Sequence, residues 1–271
     1  MSKIKYFFQF ICVILLFGIF KLLGIKYASI FSGKILTILG PLFRSKKICY
    51  FNLSNAFPEI NISQKKSITK DMWYNYGRIL AEYVFINDFR NSKLSNNITI
   101  ENQEELEKIK NSSKPVIFVS GHFNNFELMA MHLEKSGIDL AAIYRPLNNK
   151  YLNGVMEKIR ERYICKKQIK KGISGTKDLL KSFKEGTSIA LMIDQRVSEG
   201  IKCNFFNAEA STTTIPAQFV KKFGAKVVPI YIERIKNDNF KLVIHEPISF
   251  SNNDTVDYIT LTLNKILEKM I

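Results

Sequence analysis

Residues 114–137 constrain the fold more than any other stretch of this 271-residue chain. A short apolar run rich in β-branched side chains fills residues 115–119, which is typical of a buried strand. A Ser-Gly pair follows, then His122, and then apolar residues at helical spacing as far as Gly137. This order predicts a strand, a tight turn and a helix, the unit from which α/β sheets are built.

The spacing of His122 and Glu127 suggests a pair of side chains that could act together. Five residues apart on one continuous helix, they would point about 140° away from each other. They can cooperate if His122 lies in the turn and Glu127 in the first turns of the helix, with Asn124 or Asn125 as the N-cap. The helix dipole then favours a neutral imidazole, which suits a general base acting on a hydroxyl. The alternative is an ordinary capping or turn histidine, because His-x4-Glu alone is a weak pattern.

Polar residues also follow two further apolar runs of the strand type. Arg145 comes directly after one run, and Asp194 with Gln195 directly after another. Ligands of open α/β sheets bind outside the carboxyl ends of strands, so these residues and His122 are expected at one edge. An arginine at this edge can grip a phosphate or carboxylate with its planar guanidinium. Taken singly, a turn, a surface ion pair or a cap would explain each of them.

Beyond residue 98 the apolar pattern alternates between strands and helices, which predicts an α/β fold. We expect a mixed, mainly parallel sheet flanked by helices. The predicted strands are 115–119, 140–144, 187–193, 226–232 and 240–244, and the predicted helices are 102–110, 125–136, 148–163, 174–185, 213–223 and 254–271.

The N-terminal region is apolar enough to associate with a membrane. Residues 6–25 form an apolar run near the length needed to cross a bilayer, with lysines on both sides, and no cleavage site is evident. Residues 27–43 fit an interfacial helix. The alternative is an N-terminal helix buried against the domain. We therefore predict an anchor over residues 1–26, a helical membrane-proximal region over 27–97 and an α/β domain over 98–271.

Two details of the helical region are predicted from spacing. A helix should begin near Ser63 as its N-cap, after a break at Pro58. Apolar residues at helical spacing should form a core stripe, which comprises Trp73, Tyr76, Ile79, Leu80 and Tyr83.

The charge of the chain favours anionic partners. It has 40 Lys and Arg against 24 Asp and Glu, a formal net charge of +16. Phospholipid headgroups, phosphorylated lipids, acidic carrier proteins and nucleic acid all suit such a surface. Four scattered cysteines indicate neither a metal site nor a disulfide framework, and they fit a reducing cytosolic face.

Short motifs run in order along most of the chain and resemble one family. They are Asn52-Leu53-x-x-Ala56-Phe57-Pro58, Trp73-x-Asn75-x-Gly77-Arg78 with Glu82, Gly121-His122-Phe-x-x-x-Glu127, Tyr144-Arg145-Pro146, Asp194-Gln195, Phe205-Phe206 with Thr213, and Gly224-Ala225-x-Val227-Val228-Pro229. With these motifs the chain resembles the bacterial lipid A biosynthesis acyltransferases, the late lauroyl and myristoyl transferases of the lysophospholipid acyltransferase superfamily.

The resemblance implies an O-acyltransferase in which His122 and Glu127 are catalytic. His122 would take the proton of the attacking hydroxyl while Glu127 holds the ring. Arginines would bind an anionic substrate: Arg145 matches one, and either Arg160 or Arg162 falls where another should lie. The strand-end residues Asp194 and Gln195 are also expected at the substrate.

The resemblance also implies the partners and the cellular location. The acyl chain would pass from acyl carrier protein to a hydroxyl of a lipid A precursor, an anionic glycolipid. The protein would lie in the inner, cytoplasmic membrane among its lipids, with the catalytic domain facing the cytoplasm. No metal or organic cofactor is expected. Transfer should be direct, because residues 172–176 (GISGT) do not form a Gly-x-Ser-x-Gly elbow and no cysteine lies near His122 in sequence.

Two rival interpretations remain. An acyltransferase acting on a lysophospholipid or another glycolipid would use the same motif chemistry. A non-enzymatic basic protein could instead bind membrane or nucleic acid through the Lys166-Lys167 and Lys170-Lys171 pairs. The chain lacks the interleaved aromatic residues of RNA-binding modules, so no nucleic-acid partner is expected.

Overall fold

The computed structural model describes residues 2–112 and 114–271. The chain forms two compact units: residues 3–87 together with the turn 206–208, and residues 88–205 together with 209–271. The domain boundaries expected after residues 26 and 97 stay predictions, since packing alone defines these units.

A kinked helix, α1 (Ser2–Leu39), dominates the first unit and is followed by a 3-10 turn, Gly40–Leu42. The kink lies at Gly24, whose φ of 72° and ψ of 160° are not helical. The two predicted N-terminal segments are therefore the two halves of one element. The stretch Lys3–Leu42 is long and apolar enough to cross a membrane, and its side chains are mostly exposed, which is compatible with membrane association.

The second half of α1 packs against α3 (Ile62–Glu82), which follows α2 (Lys46–Ala56). The two helices approach so closely at Gly77 that a Cβ there would lie 2.2 Å from the carbonyl oxygen of Ser32. Beside this contact, the fully buried Glu82 accepts a hydrogen bond from Ser29 Oγ at 3.2 Å, and Arg78 Nε donates to Ser29 Oγ at 2.8 Å. One face of this half is thus buried.

One local prediction for α3 is wrong, and another holds only in part. Asn61, not Ser63, is the N-cap, because Asn61 and Gln64 form a reciprocal capping box. The predicted core stripe holds only in part, since Tyr83 is 5% exposed and lies in the core, whereas Tyr76 is 50% exposed. Gly77 permits the close backbone approach to Ser32, while the rings of Tyr74 and Trp73 lie against Gly33 and Gly40.

The second unit confirms the predicted α/β fold class. Its strands are β1 (Ile98–Glu101), β2 (Ile117–Ser120), β3 (Leu140–Tyr144), β4 (Lys167–Lys170), β5 (Ser188–Met192), β6 (Ile201–Phe205), β7 (Ala208–Thr212), β8 (Val227–Lys236) and β9 (Asn239–Ile244). Its helices are α4 (Ile86–Asn91, which begins in the first unit), α5 (Gln103–Asn111), α6 (Glu127–Lys135), α7 (Lys150–Tyr163), α8 (Ile173–Lys184), α9 (Ile215–Phe223) and α10 (Val256–Met270). Each predicted strand and helix corresponds to one of these elements.

Seven strands form one sheet in the order β1-β9-β8-β2-β5-β3-β4, and β6 and β7 form a separate hairpin. The strands from β8 to β4 are parallel, whereas β9 is antiparallel to β8 and β1 runs parallel to β9. All four residues of β2 are buried, as expected for a central parallel strand with both faces covered.

The strands β2, β5, β3 and β4 of the parallel part end at the same level. Ser120 of β2 pairs with Met192 of β5, and Tyr144 of β3 pairs with Lys170 of β4. We call the side of the sheet where these four strands end the carboxyl edge, and the opposite side the amino edge. The loops that carry His122, Arg145, Asp194 and Gln195 leave the sheet at the carboxyl edge.

Candidate active site

A tight turn between β2 and α6 places His122 at the carboxyl edge. Gly121 fits closely in this turn, because a Cβ there would lie 3.1 Å from the Phe123 ring and 3.3 Å from Leu267, a crowding that small side-chain shifts would relieve. The predicted cap by Asn124 or Asn125 is wrong: Phe126 is the residue before α6 and supplies no side-chain cap. Asn124, with a φ of 40°, instead donates from its amide to the carbonyl of Ile232 at 3.4 Å.

Asp194 is the carboxylate that holds His122. The imidazole Nδ1 lies 2.7 Å from Asp194 Oδ1, and the backbone N–H of His122 donates to Asp194 Oδ2 at 2.8 Å. The ring also packs edge-on against Phe126, with 4.7 Å between ring centres. Because a carboxylate can only accept hydrogen bonds, Nδ1 carries the proton and Nε2 is the basic nitrogen.

The basic nitrogen of His122 is open to an incoming group. Its Nε2 lies 3.4 Å from the amide nitrogen of the exposed Gln195, and 29% of the His122 side chain is exposed. The Gln195 amide therefore marks the position that a substrate hydroxyl would take up. Geometry of this kind is what a general base requires.

Glu127 pairs with Arg160 at the start of α6. Its Oε1 accepts hydrogen bonds from Arg160 Nε at 2.9 Å and from Arg160 Nη2 at 2.6 Å. The pair is largely withdrawn from solvent, with 10% of the Glu127 side chain and 16% of the Arg160 side chain exposed. The structure thus brings Asp194 rather than Glu127 to His122 Nδ1, and the catalytic role expected for Glu127 stays a prediction.

The structure separates the three predicted arginines. Arg160 lies at the site beside Glu127. Arg162, two residues further along α7, is exposed, and its guanidinium lies 5.2 Å from the centre of the Tyr163 ring. Arg145 follows the last residue of β3 at the carboxyl edge and its side chain is exposed. Of the two candidates left open by the sequence, only Arg160 contacts a predicted catalytic residue.

A polar network that the sequence did not predict lies next to Arg160. The guanidinium of Arg160 lies 5.7 Å from the centre of the Tyr144 ring, and the Tyr144 hydroxyl donates to the carboxylate of Glu157. Lys170 Nζ lies 3.4 Å from the same carboxylate. Burial and the Glu157 carboxylate raise the pKa of Tyr144, while the hydrogen bond from Tyr144 lowers the pKa of Glu157. The one available signal was that Glu157 and Arg160 share a face of α7 at i,i+3 spacing.

The nearest hydroxyl in the sequence is not arranged as a nucleophile. Ser120 is buried, and its hydroxyl donates to the carbonyl of Gly121 at 3.2 Å and contacts the sulfur of Met129 at 3.5 Å. Across residues 2–112 and 114–271, no group of three or more His, Cys, Asp or Glu side chains is placed to hold a metal ion. The residues at the carboxyl edge suit activation of a substrate hydroxyl by His122.

The fold and this site define an α/β protein with a histidine–carboxylate pair at the carboxyl edge of a parallel sheet and a largely buried arginine–carboxylate pair beside it. The profile of the family described as bacterial lipid A biosynthesis acyltransferase matches residues 1–271. The chain therefore belongs to the bacterial lipid A biosynthesis acyltransferase family, and the resemblance found in its motifs is confirmed.

Two curated relatives show a more distant similarity. The chain is 22% identical over 191 residues to a lipid A biosynthesis myristoyltransferase of Escherichia coli (strain K12). It is likewise 22% identical over 191 residues to lipid A biosynthesis acyltransferase 1 of Shigella flexneri. The match covers 69% of this chain and 58% of each relative, so the chain spans less than two thirds of their length.

Proposed function

We propose that this protein is a membrane-bound O-acyltransferase that moves a fatty acyl chain from acyl carrier protein to a hydroxyl of a lipid A precursor. The observation that carries the proposal is the His122–Asp194 pair at the carboxyl edge, in a chain that belongs to the lipid A acyltransferase family. The open Nε2 of His122 supplies the base that an alcohol acceptor needs.

In the proposed reaction, His122 Nε2 takes the proton of the acceptor hydroxyl as its oxygen attacks the thioester carbonyl. The tetrahedral intermediate then collapses, its carbon–sulfur bond breaks, and the leaving thiolate takes the proton from the imidazolium. Asp194 keeps the ring in the reactive tautomer and stabilises the imidazolium between these steps, as the carboxylate of a catalytic triad does. The ester forms directly, with both substrates bound together.

Arg160 is the cation that we assign to the anionic acceptor. The two hydrogen bonds that Glu127 accepts hold the Arg160 guanidinium in a fixed orientation, and a planar guanidinium is the group that best matches a phosphate or carboxylate. Glu127 then supports transfer by fixing Arg160 at the first turn of α6. The alternative within this proposal is that Glu127 contacts His122 once substrate is bound, as the His-x4-Glu pattern suggests. Arg145 lies at the same edge as a second phosphate-binding candidate.

We assign the protein to the inner membrane with the second unit facing the cytoplasm, and the exposed first half of α1 supports the membrane association in this assignment. Residues 2–23 precede the kink and expose apolar side chains such as Phe8, Leu15 and Leu22. At 1.5 Å per residue this half is about 33 Å long, close to the thickness of the hydrocarbon core. Acyl carrier protein would reach the site from the cytoplasm.

A transfer assay with purified protein tests the proposed function. The full chain in detergent is incubated with acyl carrier protein loaded with a fatty acid and with a lipid A precursor, and mass spectrometry detects the added acyl chain. His122→Ala serves as the inactive control. Transfer to a lysophospholipid instead would establish the rival acceptor, and the absence of transfer to either acceptor would contradict the proposal.

A further inference from the structure

The lysine-rich segment 166–171 is divided by the sheet into two ends with different surroundings. Its central residues form β4, the last strand of the seven-stranded sheet, which runs parallel to β3. Lys166 and Lys167 therefore lie at the amino edge, whereas Lys170 and Lys171 lie at the carboxyl edge with His122. A run of like charges in the sequence thus becomes two separate surfaces.

The lysines at the amino edge have carboxylate partners. Lys167 Nζ lies 2.8 Å from Asp139 Oδ2 and 2.7 Å from Thr187 Oγ1. Lys166 Nζ lies 4.0 Å from Glu134, whose carboxylate also contacts Arg90. The positive charge at this end is largely offset by these acidic groups.

The carboxyl edge carries an excess of positive charge. We define the carboxyl-edge basic surface as Lys150, Lys170 and Lys171, which are all exposed. The backbone N–H of Lys171 donates to the carbonyl of Tyr144 at 2.9 Å, which fixes Lys171 next to the end of β3. Lys170 faces the Glu157 carboxylate at 3.4 Å, whereas Lys150 and Lys171 have no ion pair among the residues that the structure describes.

The distance of this surface from the reacting atoms follows from the strand order. Three strand intervals separate β2, which carries His122, from β4, so the basic surface lies roughly 15 Å from the histidine. The lysines extend from two elements over an exposed edge. A small anion needs convergent donors, as Arg160 provides, whereas spread and flexible cations suit an extended acidic surface.

We propose that the carboxyl-edge basic surface binds an acidic protein that carries the acyl group as a thioester. This inference rests on the proposed function, because the acidic protein is the acyl donor of that reaction and the inference adds where it docks. The acidic protein docks beside β4 and its thioester arm spans the carboxyl edge to His122. Electrostatic attraction chiefly raises the rate of encounter, so its signature is a salt-dependent KM for the protein donor.

Matched charge reversals at the two edges test the proposal. The test variant is Lys150→Glu with Lys171→Glu, and the control is Lys135→Glu with Lys166→Glu, which makes the same change of net charge at the amino edge. All four lysines are exposed. Each variant is assayed in the full chain with acyl carrier protein as the thioester donor and, separately, with an uncharged acyl-pantetheine thioester.

The expected result is a KM for the protein donor raised about tenfold at low salt in the test variant only. The difference should shrink as salt masks the attraction, and the acyl-pantetheine reaction should be unchanged. An equal effect in both double variants, or on both donors, would overturn the proposal. So would a test variant that keeps its KM but loses binding to vesicles of anionic phospholipid, since the surface would then serve the membrane.

Direct binding separates this inference from the proposed function. Immobilised wild-type protein and both double variants are exposed to acyl carrier protein, and the Kd is measured without turnover. Weaker binding by the test variant alone supports the docking surface even if no acyl transfer is found. If the wild type does not bind acyl carrier protein, the docking surface is wrong whatever the enzyme acylates.

Discussion

Asp194 contacts His122 through both of its carboxylate oxygens, one at the ring Nδ1 and the other at the backbone N–H. The two contacts fix the ring and the turn that carries it at the same time. They join the ends of β2 and β5, which are neighbours in the sheet. A change at Asp194 should therefore alter the tautomer and orientation of the imidazole rather than the fold.

The first prediction concerns this pair. His122→Ala should lower kcat for acyl transfer at least ~10²-fold through loss of the general base. Asp194→Asn should have a similar effect, because an amide can stabilise the wrong tautomer. The double variant should be little worse than the worse single variant, since the two residues act as a unit. Initial rates and thermal unfolding of each variant check this, and near wild-type turnover of Asp194→Asn would show that another group orients the ring.

The second prediction separates two roles for Glu127. If Glu127 acts through Arg160, Glu127→Gln and Arg160→Lys should both raise the KM for the acceptor and change kcat much less, because the guanidinium geometry is lost. Arg162→Ala is the matched control and should behave as wild type, since Arg162 is exposed and away from Glu127. Steady-state kinetics with varied acceptor provide the measurement. A loss of kcat in Glu127→Gln as large as in His122→Ala would instead show that Glu127 acts directly on His122.

The third prediction concerns the hydrogen bond from Tyr144 to Glu157. Tyr144→Phe should lower the free energy of unfolding by about 1–2 kcal/mol near pH 6, because a hydrogen bond to a charged group is lost. The pKa of Glu157 is lowered in the folded protein, so this stabilisation is present above the ordinary glutamate pKa and disappears as the pH falls through the lowered value. Denaturant unfolding at pH 6 and at successively lower pH measures it. Tyr163→Phe is the control, and a difference that persists in acid would contradict the assignment.

The fourth prediction concerns the first half of α1. Deletion of residues 1–23 removes the exposed apolar stretch before the kink and leaves the half that packs on α3. The truncated protein should move from the membrane fraction to one that high salt extracts, because the remaining attraction is mainly electrostatic. Fractionation of cells in buffer and in 1 M salt measures the change. Full retention in salt would show that Tyr27, Phe31, Ile38 and neighbouring apolar side chains are sufficient to anchor the chain.

The fifth prediction concerns the contact between α1 and α3. Gly77→Ala should destabilise the first unit by about 1–3 kcal/mol, because the added Cβ meets the Ser32 backbone, which cannot move without shifting a helix. Gly18→Ala is the matched control, since no atom lies within 4 Å of a Cβ at that position. The midpoint of thermal unfolding in detergent distinguishes the two. Equal stability of both variants would mean that the helices separate easily.

The local sequence pattern was enough to predict most helices and strands of the second unit, but not which strands lie beside each other in the sheet. β3 has the predicted bounds because its apolar run is continuous and bounded by polar residues. β4 was missed because three of its four residues are polar, which is common at a sheet edge where lysine discourages pairing with other chains. Asp194 was expected at the carboxyl edge, yet its contact with His122 depends on β5 lying beside β2, and strand order is a long-range property that no spacing in the chain reveals.

Because neighbouring strands end level at the carboxyl edge, the number of residues between each strand end and its reactive side chain determines the geometry of the site. His122 and Asp194 each stand two residues beyond paired strand ends, and Arg145 and Lys171 each stand one residue beyond another such pair. A single residue inserted between Ser120 and His122 would leave every strand and every reactive group in the protein. It would nevertheless move the imidazole away from the Asp194 carboxylate, so the length of this one-residue connection is as much a determinant of activity as the histidine.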